Sequence, residues 1–214
     1  RIAEEGGHHP QLLTGHTMDD QAEQVLLALA RGSGARALAG IPVRRGNIVR
    51  PFLGLRRADT VAACDALGLE PWNDPTNHMD DGPKRSAVRT KVMPQLVDVL
   101  GPGVVSGLAR SAALLQADAD ELDRQTRSAM TREVDRADCD ALAALPEAIR
   151  RRMIKIVAEE AGAGPLGVVH VGAIDQLVMN YRGQGAVHLP GGYEARRVRG
   201  RLVVTHPTSE RGTL

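Results

Sequence analysis

The chain has 214 residues, enough for one large domain or two smaller ones with a core in each. Its formal net charge of +1 does not by itself indicate a nucleic-acid binder, and an aromatic content of 2% leaves few stacking platforms for an RNA-recognition sheet. Cys64 and Cys139 form no C-x-x-C motif, which argues against a zinc ribbon or an iron–sulfur site. No apolar run is long enough to span a membrane and no signal peptide is visible, so we expect a cytoplasmic protein.

The first predicted elements are a short buried strand at residues 11–14 and a helix that follows it. Thr17 can cap this helix, and acidic residues in its first turn suit the helix dipole. Gly32 and Gly34 end it. The spacing of its apolar residues predicts a core-facing stripe made of Ala22, Val25, Leu26, Leu29 and Ala30.

A second strand at Ile48–Val49 and a helix over Ala58–Leu67, closed by Gly68, continue the pattern. The order strand, helix, strand, helix is typical of a parallel α/β domain. We therefore interpret residues 1–80 as the C-terminal part of such a domain.

The middle of the chain is predicted to be a helical bridge over residues 81–137. Pro94 should kink its first helix, and Pro102 can open a long second one. The bridge is expected to end near Asp138 and Cys139.

The last part, residues 138–214, is predicted to be a small, mostly helical domain with a terminal β-hairpin. One helix begins at Pro146 and ends at Gly162, and another runs through Val171 and Val178. Alternation around the late glycines predicts three short strands, Ala186–Leu189, Tyr193–Val198 and Leu202–Thr205.

The sharpest candidate site combines His16, Asp20 and Glu23 where a strand end meets a helix N-terminus. Ligands bind at this edge of parallel α/β sheets, and acids three residues apart share one helix face. The two carboxylates can hold an ammonium group, hold magnesium or accept a proton, and His16 can bind phosphate or relay a proton. The alternative is a well-capped helix with a structural histidine.

Basic residues supply further candidates. Arg31, Gly32 and Gly34 can approach a phosphate, or they form only a helix stop. Arg50 ends the second strand and can face the ligand edge. Arg85 and Arg89, four residues apart, form a helix face that suits RNA phosphates. Basic runs at residues 44–57, 84–91 and 182–201 indicate a face for a polyanion, unless they are solvated surfaces.

The segment His16–Glu23 resembles the H-x-x-D-D-Q-x-E signature of tRNA(Ile)-lysidine synthetases. Five more blocks similar to that family follow in the same order: Arg31–Gly34, Arg50–Leu53, Asp74–Asn77, Arg85–Arg89 and Val92–Leu96. The later sequence is less similar, although Leu189–Gly192 resembles the small C-terminal domain of the family.

The resemblance implies a PP-loop ATP pyrophosphatase that uses ATP and Mg²⁺ to adenylate the wobble cytidine of the CAU-anticodon tRNA(Ile). Free L-lysine then displaces AMP and forms lysidine. By the same resemblance, Asp20 and Glu23 bind and orient lysine and act in catalysis with His16. His16, Arg31, Gly32 and Gly34 lie near ATP phosphates; Arg50, Arg85 and Arg89 contact tRNA. The small C-terminal domain is expected to bind tRNA.

Three departures from the family qualify this expectation. The hexapeptide Ser-Gly-Gly-x-Asp-Ser does not occur, so we expect a fragment that lacks the N-terminal PP-loop and is inactive alone. Thr17 replaces a second histidine, and Ser86-Ala87 replace Asn-Arg. The alternatives are another PP-loop tRNA-modifying enzyme or a non-catalytic RNA-binding derivative. The metal ligands and the oligomeric state, a homodimer included, stay open.

Overall fold

The computed structural model describes three stretches of the chain, residues 10–72, 83–131 and 135–207. The chain divides into two compact units, Arg1–Ala119 and Asp120–Leu214. Each unit is described by itself. The block Asp74–Asn77 lies outside the described residues.

The first unit contains a three-stranded sheet in the order β1-β3-β2, made of β1 (Leu12–Leu13), β2 (Arg44–Arg45) and β3 (Ile48–Val49). Strand β1 pairs with β3 in parallel, and β2 pairs with β3 antiparallel. The mixed sheet and its helices confirm an α/β class. The expectation that β1 is buried is wrong, because Leu12 and Leu13 are 56% and 64% exposed on a strand that pairs on one side within the described residues.

Helix α1 (Met18–Ala30) begins where its sequence predicts, with Thr17 as the N-cap residue. Ala22 and Val25 are buried, and Ala22 packs in a small core with Met93 and Val105. Leu29 is 53% exposed, so the predicted core stripe is wrong at its C-terminal end. The last turn buries Ala28 instead, and a periodic pattern does not reveal which side of that turn is covered.

The turn after α2 (Ala35–Leu38) is fastened to α1 by the side chain of Gln21. The Gln21 amide accepts from Ile41 N at 2.6 Å and donates to Ile41 O at 3.2 Å. Gly40 has a φ of 69°, and a Cβ there would lie 2.6 Å from Gln21 Oε1. The turn therefore needs both the left-handed backbone and the missing side chain.

We expect Gly40→Ala to lower the free energy of unfolding by about 1–2 kcal/mol, because alanine is strained in the left-handed conformation and its Cβ displaces the Gln21 amide. Urea unfolding of the two proteins measures the difference. Gly54→Ala is the matched control, since a Cβ at Gly54 meets no atom within 4 Å. Equal losses in both variants would contradict this account.

Four helical segments complete the described first unit and lead into the second. They are α3 (Arg57–Ala66), α4 (Lys84–Ala87), α5 (Met93–Leu100) and α6 (Val104–Thr131). Between α4 and α5 the chain forms a π-helical turn over Val88–Val92, in which Met93 N donates to Val88 O. Pro94 has no N–H and its ring excludes the carbonyl four residues earlier, which favours this wider turn over regular α-helix. The irregularity expected at Pro94 is thus a π-helical turn just before it.

The second unit packs three helices with a separate antiparallel sheet. The helices are α7 (Cys139–Ala143), α8 (Glu147–Glu160) and α9 (Val168–Met179). The strands are β4 (Val187–His188), β5 (Glu194–Val198) and β6 (Arg201–Thr205), in the order β4-β5-β6. These bounds confirm the three predicted strands. The core between helices and sheet contains Leu142, Met153, Ile154, Ile174 and Leu177, all less than 2% exposed.

An ion pair is buried in this second core. Arg150 Nε lies 2.7 Å from Asp175 Oδ1, and the two residues are 7% and 3% exposed. Arg151 Nε donates to the other oxygen of Asp175 at 3.0 Å, and Arg150 Nη1 donates to Leu145 O at 2.9 Å. Burial raises the pKa of Asp175, but the bonds from the two arginines outweigh it and hold the pKa below its ordinary value.

In the part of the chain that the structure describes, no single helix is both long and apolar enough to cross a membrane. The segments Lys84–Leu100 and Val104–Thr131 reach that length and apolarity only as a pair, and the pair is bent by 101°.

Candidate functional site

The N-terminal ends of α1 and α3 are joined through Asp19. Its Oδ2 accepts a hydrogen bond from Arg57 N at 2.7 Å, and its two oxygens accept from Arg56 Nε at 3.1 Å and Nη2 at 3.0 Å. Met18 N donates to Leu55 O at 2.8 Å beside this contact. Burial raises the pKa of Asp19, but these bonds and the two arginine charges outweigh it and lower the pKa. Asp19 therefore holds the Arg56 side chain and the Arg57 backbone in place.

Asp20 links the cap of α1 to two arginines. Its Oδ2 accepts from Thr17 N and from Thr17 Oγ1, both at 2.8 Å. Its Oδ1 accepts from Arg57 Nη2 at 3.0 Å and from Arg89 Nη2 at 3.1 Å. Burial raises the pKa of Asp20, and the Thr17 bonds together with the two guanidinium charges reverse that effect. Asp20 is thus held as a carboxylate at neutral pH.

Glu23 is the most deeply buried acid of the group, at 1% exposure. Arg89 donates to both of its oxygens, from Nε at 2.7 Å and from Nη2 at 3.0 Å. Arg57 Nη2 lies 3.5 Å and Arg85 Nε 4.0 Å from the same carboxylate, and Arg85 also donates to Gln24 Oε1. The bond to Glu23 raises the pKa of Arg89. A buried carboxylate needs such partners, and here guanidiniums from two other segments supply them.

Five of these charged residues border a cavity of about 290 Å³ in the first unit. One part of its wall is charged and the other apolar. The charged lining residues are Asp19, Glu23, Arg56, Arg57 and Arg89. The apolar lining residues are Met93, Pro94, Val97 and Val105. We call the three acids Asp19, Asp20 and Glu23 and the four arginines Arg56, Arg57, Arg85 and Arg89 the acid–arginine cluster.

The structure brings four of the predicted site residues together in this cluster: Asp20, Glu23, Arg85 and Arg89. It does not place His16 with them. His16 Nδ1 lies 2.9 Å from Thr14 Oγ1, and His16 is not among the residues that line the cavity. Both carboxylates accept bonds from guanidiniums, and a common pocket for His16, Asp20 and Glu23 stays a prediction.

Magnesium was a second ligand considered for these acids. Within residues 10–72, 83–131 and 135–207, no group of three or more His, Cys, Asp or Glu side chains is arranged to hold a metal ion. Asp20 and Glu23 have their oxygens committed to Arg57 and Arg89. Asp20 and Glu23 would therefore have to release these arginines before they could hold a magnesium ion.

The proposed phosphate residues lie at opposite ends of α1. His16 precedes the helix, whereas Arg31 follows its last residue and Gly32, with a φ of 62°, stops it. A helix of 13 residues is about 20 Å long, so His16 and Arg31 cannot contact the same phosphate group. Gly34 precedes the four-residue α2 and has an extended backbone that does not require glycine.

The proposed tRNA-binding arginines are turned toward the protein. Arg50 Nη1 donates to Pro42 O at 2.9 Å, and its Nε is buried without a hydrogen-bond partner in the described residues. Arg85 and Arg89 point at α1 and form no free basic face. Their pairing follows from the burial of Glu23, which sequence spacing alone does not reveal.

Sequence reasoning missed Asp19, Arg56 and Arg57 as members of the site. Asp19 had been interpreted as an ordinary first-turn acid, and the arginines as part of a basic surface run. The available signal was the arginine pair at the start of the second predicted helix, because three acids at a partly buried helix end require cations nearby.

Comparisons with known proteins give the class first. A PP-loop domain model matches residues 2–96, and a TilS substrate binding domain model matches residues 138–203. The chain is therefore similar to a PP-loop domain in its first part and to a TilS substrate binding domain in its last part, and the whole acid–arginine cluster lies in the PP-loop match. The expectation of a chain that lacks the N-terminal PP-loop is not supported, because the PP-loop domain model matches from residue 2 onward.

The relatives are more specific. The chain is 50% identical over 205 residues to the tRNA(Ile)-lysidine synthase of Salinispora arenicola, covering 92% of this chain and 61% of that protein. It is 47% identical to that of Thermobifida fusca, covering 91% and 61%, and 45% identical to that of Streptomyces coelicolor, covering 90% and 57%. The chain thus spans about three fifths of the length of these curated relatives. These matches support assignment to the tRNA(Ile)-lysidine synthase family, which the sequence resembles.

Proposed function

We propose that the protein ligates lysine to the wobble cytidine of the CAU-anticodon tRNA(Ile). ATP would first adenylate the cytidine with release of pyrophosphate, and the lysine amine would then displace AMP to leave lysidine. The observation that carries this proposal is the 50% identity over 205 residues to a protein named tRNA(Ile)-lysidine synthase, with a PP-loop domain followed by a TilS substrate binding domain.

The acid–arginine cluster is proposed as the lysine-binding part of the site. Asp20 and Glu23 would bind an ammonium group of lysine. At each carboxylate oxygen that it contacts, the ammonium group would replace a guanidinium donor. Such an exchange conserves the number of cations around two buried acids and so avoids leaving a carboxylate unpaired. The cavity beside Glu23 gives the ligand a place to enter.

The other roles are proposed more simply. His16 at the front of α1 and the turn Arg31–Gly34 at its end would serve different groups of ATP or RNA, given their separation. Arg50, Arg85 and Arg89 would reach tRNA only after leaving their present partners. Magnesium would come with the ATP phosphates. The TilS domain would bind the tRNA, in the cytoplasm, as a monomer or a homodimer.

The test is lysine transfer by the full-length protein. Purified protein is incubated with a CAU-anticodon tRNA(Ile) transcript, ATP and radiolabelled lysine, and incorporated label and released AMP are measured. We expect ATP-dependent labelling with one AMP per lysine. A transcript with uridine at the wobble position is the matched control and should stay unlabelled.

Two results would reject the proposal. Tight tRNA binding without ATP cleavage or labelling would favour a non-catalytic RNA-binding protein. AMP release on the same tRNA without lysine incorporation would favour a different PP-loop tRNA modification.

A further inference from the structure

Arg57 occupies a special position between the acids and the cavity. Its backbone N–H is held by Asp19 at 2.7 Å, and its Nη2 lies 3.0 Å from Asp20 and 3.5 Å from Glu23. Among the described residues, Arg57 contacts the carboxylates of Asp20 and Glu23 through Nη2. No hydrogen bond from its Nε or Nη1 is found there. The side chain lines the cavity and is 34% exposed. Arg57 is therefore fixed at its base and retains two donors for a ligand.

The charges of the cluster indicate what those donors meet. Counted over its seven named residues alone, the cluster has four guanidiniums and three carboxylates, a formal excess of one positive charge. A ligand with only cationic groups would add to this excess. The α-ammonium and the α-carboxylate of an amino acid cancel each other and leave this excess unchanged, so that with lysine only the side-chain amine adds a charge. The cluster thus suits the zwitterionic end of an amino acid.

The cavity also limits the ligand's size and shape. Its volume of about 290 Å³ lies at the lower end of the range for small-molecule sites, about 300–1,000 Å³. Opposite the charges, Met93, Val97 and Val105 offer an apolar wall for a methylene chain. A compact head with two opposite charges and an aliphatic chain matches both parts of the wall.

We infer that Arg57 is the residue that binds the α-carboxylate of the amino-acid substrate, through the guanidinium donors that its internal ion pairs leave available. This rests on the proposed lysine transfer and adds to it the group that selects an amino acid over a simple amine. Asp19 acts on Arg57 as a positioning residue, because it fastens the Arg57 backbone.

The experiment compares lysine with lysinamide, which keeps both amines and lacks the carboxylate. The full-length protein is assayed for transfer of each compound to tRNA(Ile), as wild type, Arg57→Lys and Arg57→Gln, and kcat/KM is determined for both compounds with each protein. Because both kcat/KM values are measured on one preparation, a reduced folded fraction affects them equally and cancels in the lysine-to-lysinamide ratio. Arg124→Gln is the control, since Arg124 is exposed and pairs with Glu121 on the surface.

We expect the wild type to prefer lysine by about 10- to 100-fold, the effect of one charge-assisted interaction. This ratio should fall to within about threefold of unity in Arg57→Gln, be partly retained in Arg57→Lys and stay unchanged in Arg124→Gln. KM for ATP and for tRNA should not change.

Three results would overturn the inference while leaving the proposed function standing: no lysine preference in an active wild type, a wild-type ratio in Arg57→Gln, or a raised KM for ATP with that ratio intact. The last would assign Arg57 to a phosphate. Absence of any lysine transfer by the wild type would instead refute the proposed function, on which the inference rests.

Discussion

Asp175→Asn is expected to lower the free energy of unfolding by about 3–5 kcal/mol, because it leaves the buried Arg150 guanidinium without its counter-charge. Arg150 and Asp175 are 7% and 3% exposed, and solvent cannot replace the lost partner. Arg151 would lose its bond to the same carboxylate. Urea unfolding, followed by circular dichroism at pH 7, measures the change.

The matched control is Glu160→Gln in the same unit. Glu160 pairs with Arg136 at 3.2 Å, but the two side chains are 56% and 45% exposed. Such surface pairs contribute about 0–1 kcal/mol, so this variant should unfold almost as the wild type does. Similar losses in the two variants would show that burial of the Arg150–Asp175 pair is not what matters.

The loss in Asp175→Asn should also depend on pH. A carboxyl whose pKa is lowered in the folded state stabilises it above the unfolded-state pKa, about 3.9 for aspartate. That stabilisation disappears as the pH falls through the lowered folded-state pKa. We therefore expect the difference between wild type and Asp175→Asn to be full at pH 7 and to shrink below about pH 4. A difference that grows on acidification would contradict the sign of the pKa shift.

Glu23→Gln should be the most damaging single change in the acid–arginine cluster. It removes a carboxylate that is 1% exposed and accepts two bonds from Arg89. Because the arginines around it keep some contact with solvent, we expect a loss of about 3 kcal/mol in the free energy of unfolding, the low end for a broken buried pair. Lysine transfer should fall by about 100-fold or more, since Arg57 and Arg89 lose the group that orients them.

Stability and transfer are measured on the same preparations to separate the two effects. Glu121→Gln is the control, because Glu121 forms an exposed pair with Arg124 and should affect neither quantity. Asp20→Ala provides a second test of the cluster, with lost transfer expected there too. Full transfer in folded Glu23→Gln and Asp20→Ala would remove the proposed lysine-binding role of both acids.

Local patterns predicted the secondary structure better than they predicted burial. The start of α1 at Met18, the end of α3 before Gly68 and the strand β5 follow from capping residues, glycine and alternation, all encoded within a few neighbours. The exposure of Leu29 does not, because it depends on where other segments cover the helix. Strand β2 was missed for a similar reason. Its two arginines do not favour a strand by themselves, and they form one only because they pair with β3.

Part of the composition of the candidate site was predicted, but its arrangement was not. The sequence identifies Asp20, Glu23, Arg85 and Arg89 as chemically important, and the structure places them in one cluster. Their pairing joins residues up to 69 positions apart, so no local pattern contains it. Burial of Glu23 decides that the arginines turn inward, and this tertiary effect outweighs the preference of a charged helix face for solvent.

The π-helical turn at Val88–Val92 has a geometric consequence for the whole helical segment. A turn closed five residues ahead holds one residue more than an α-helical turn, so the residues beyond it are rotated by about 100° from the direction that an uninterrupted helix would give them. Arg85 and Arg89 therefore contact acids on α1 while Met93 and Val97 border the neighbouring cavity. The segment thereby carries a cationic and a hydrophobic surface at an angle to each other, without a loop between them.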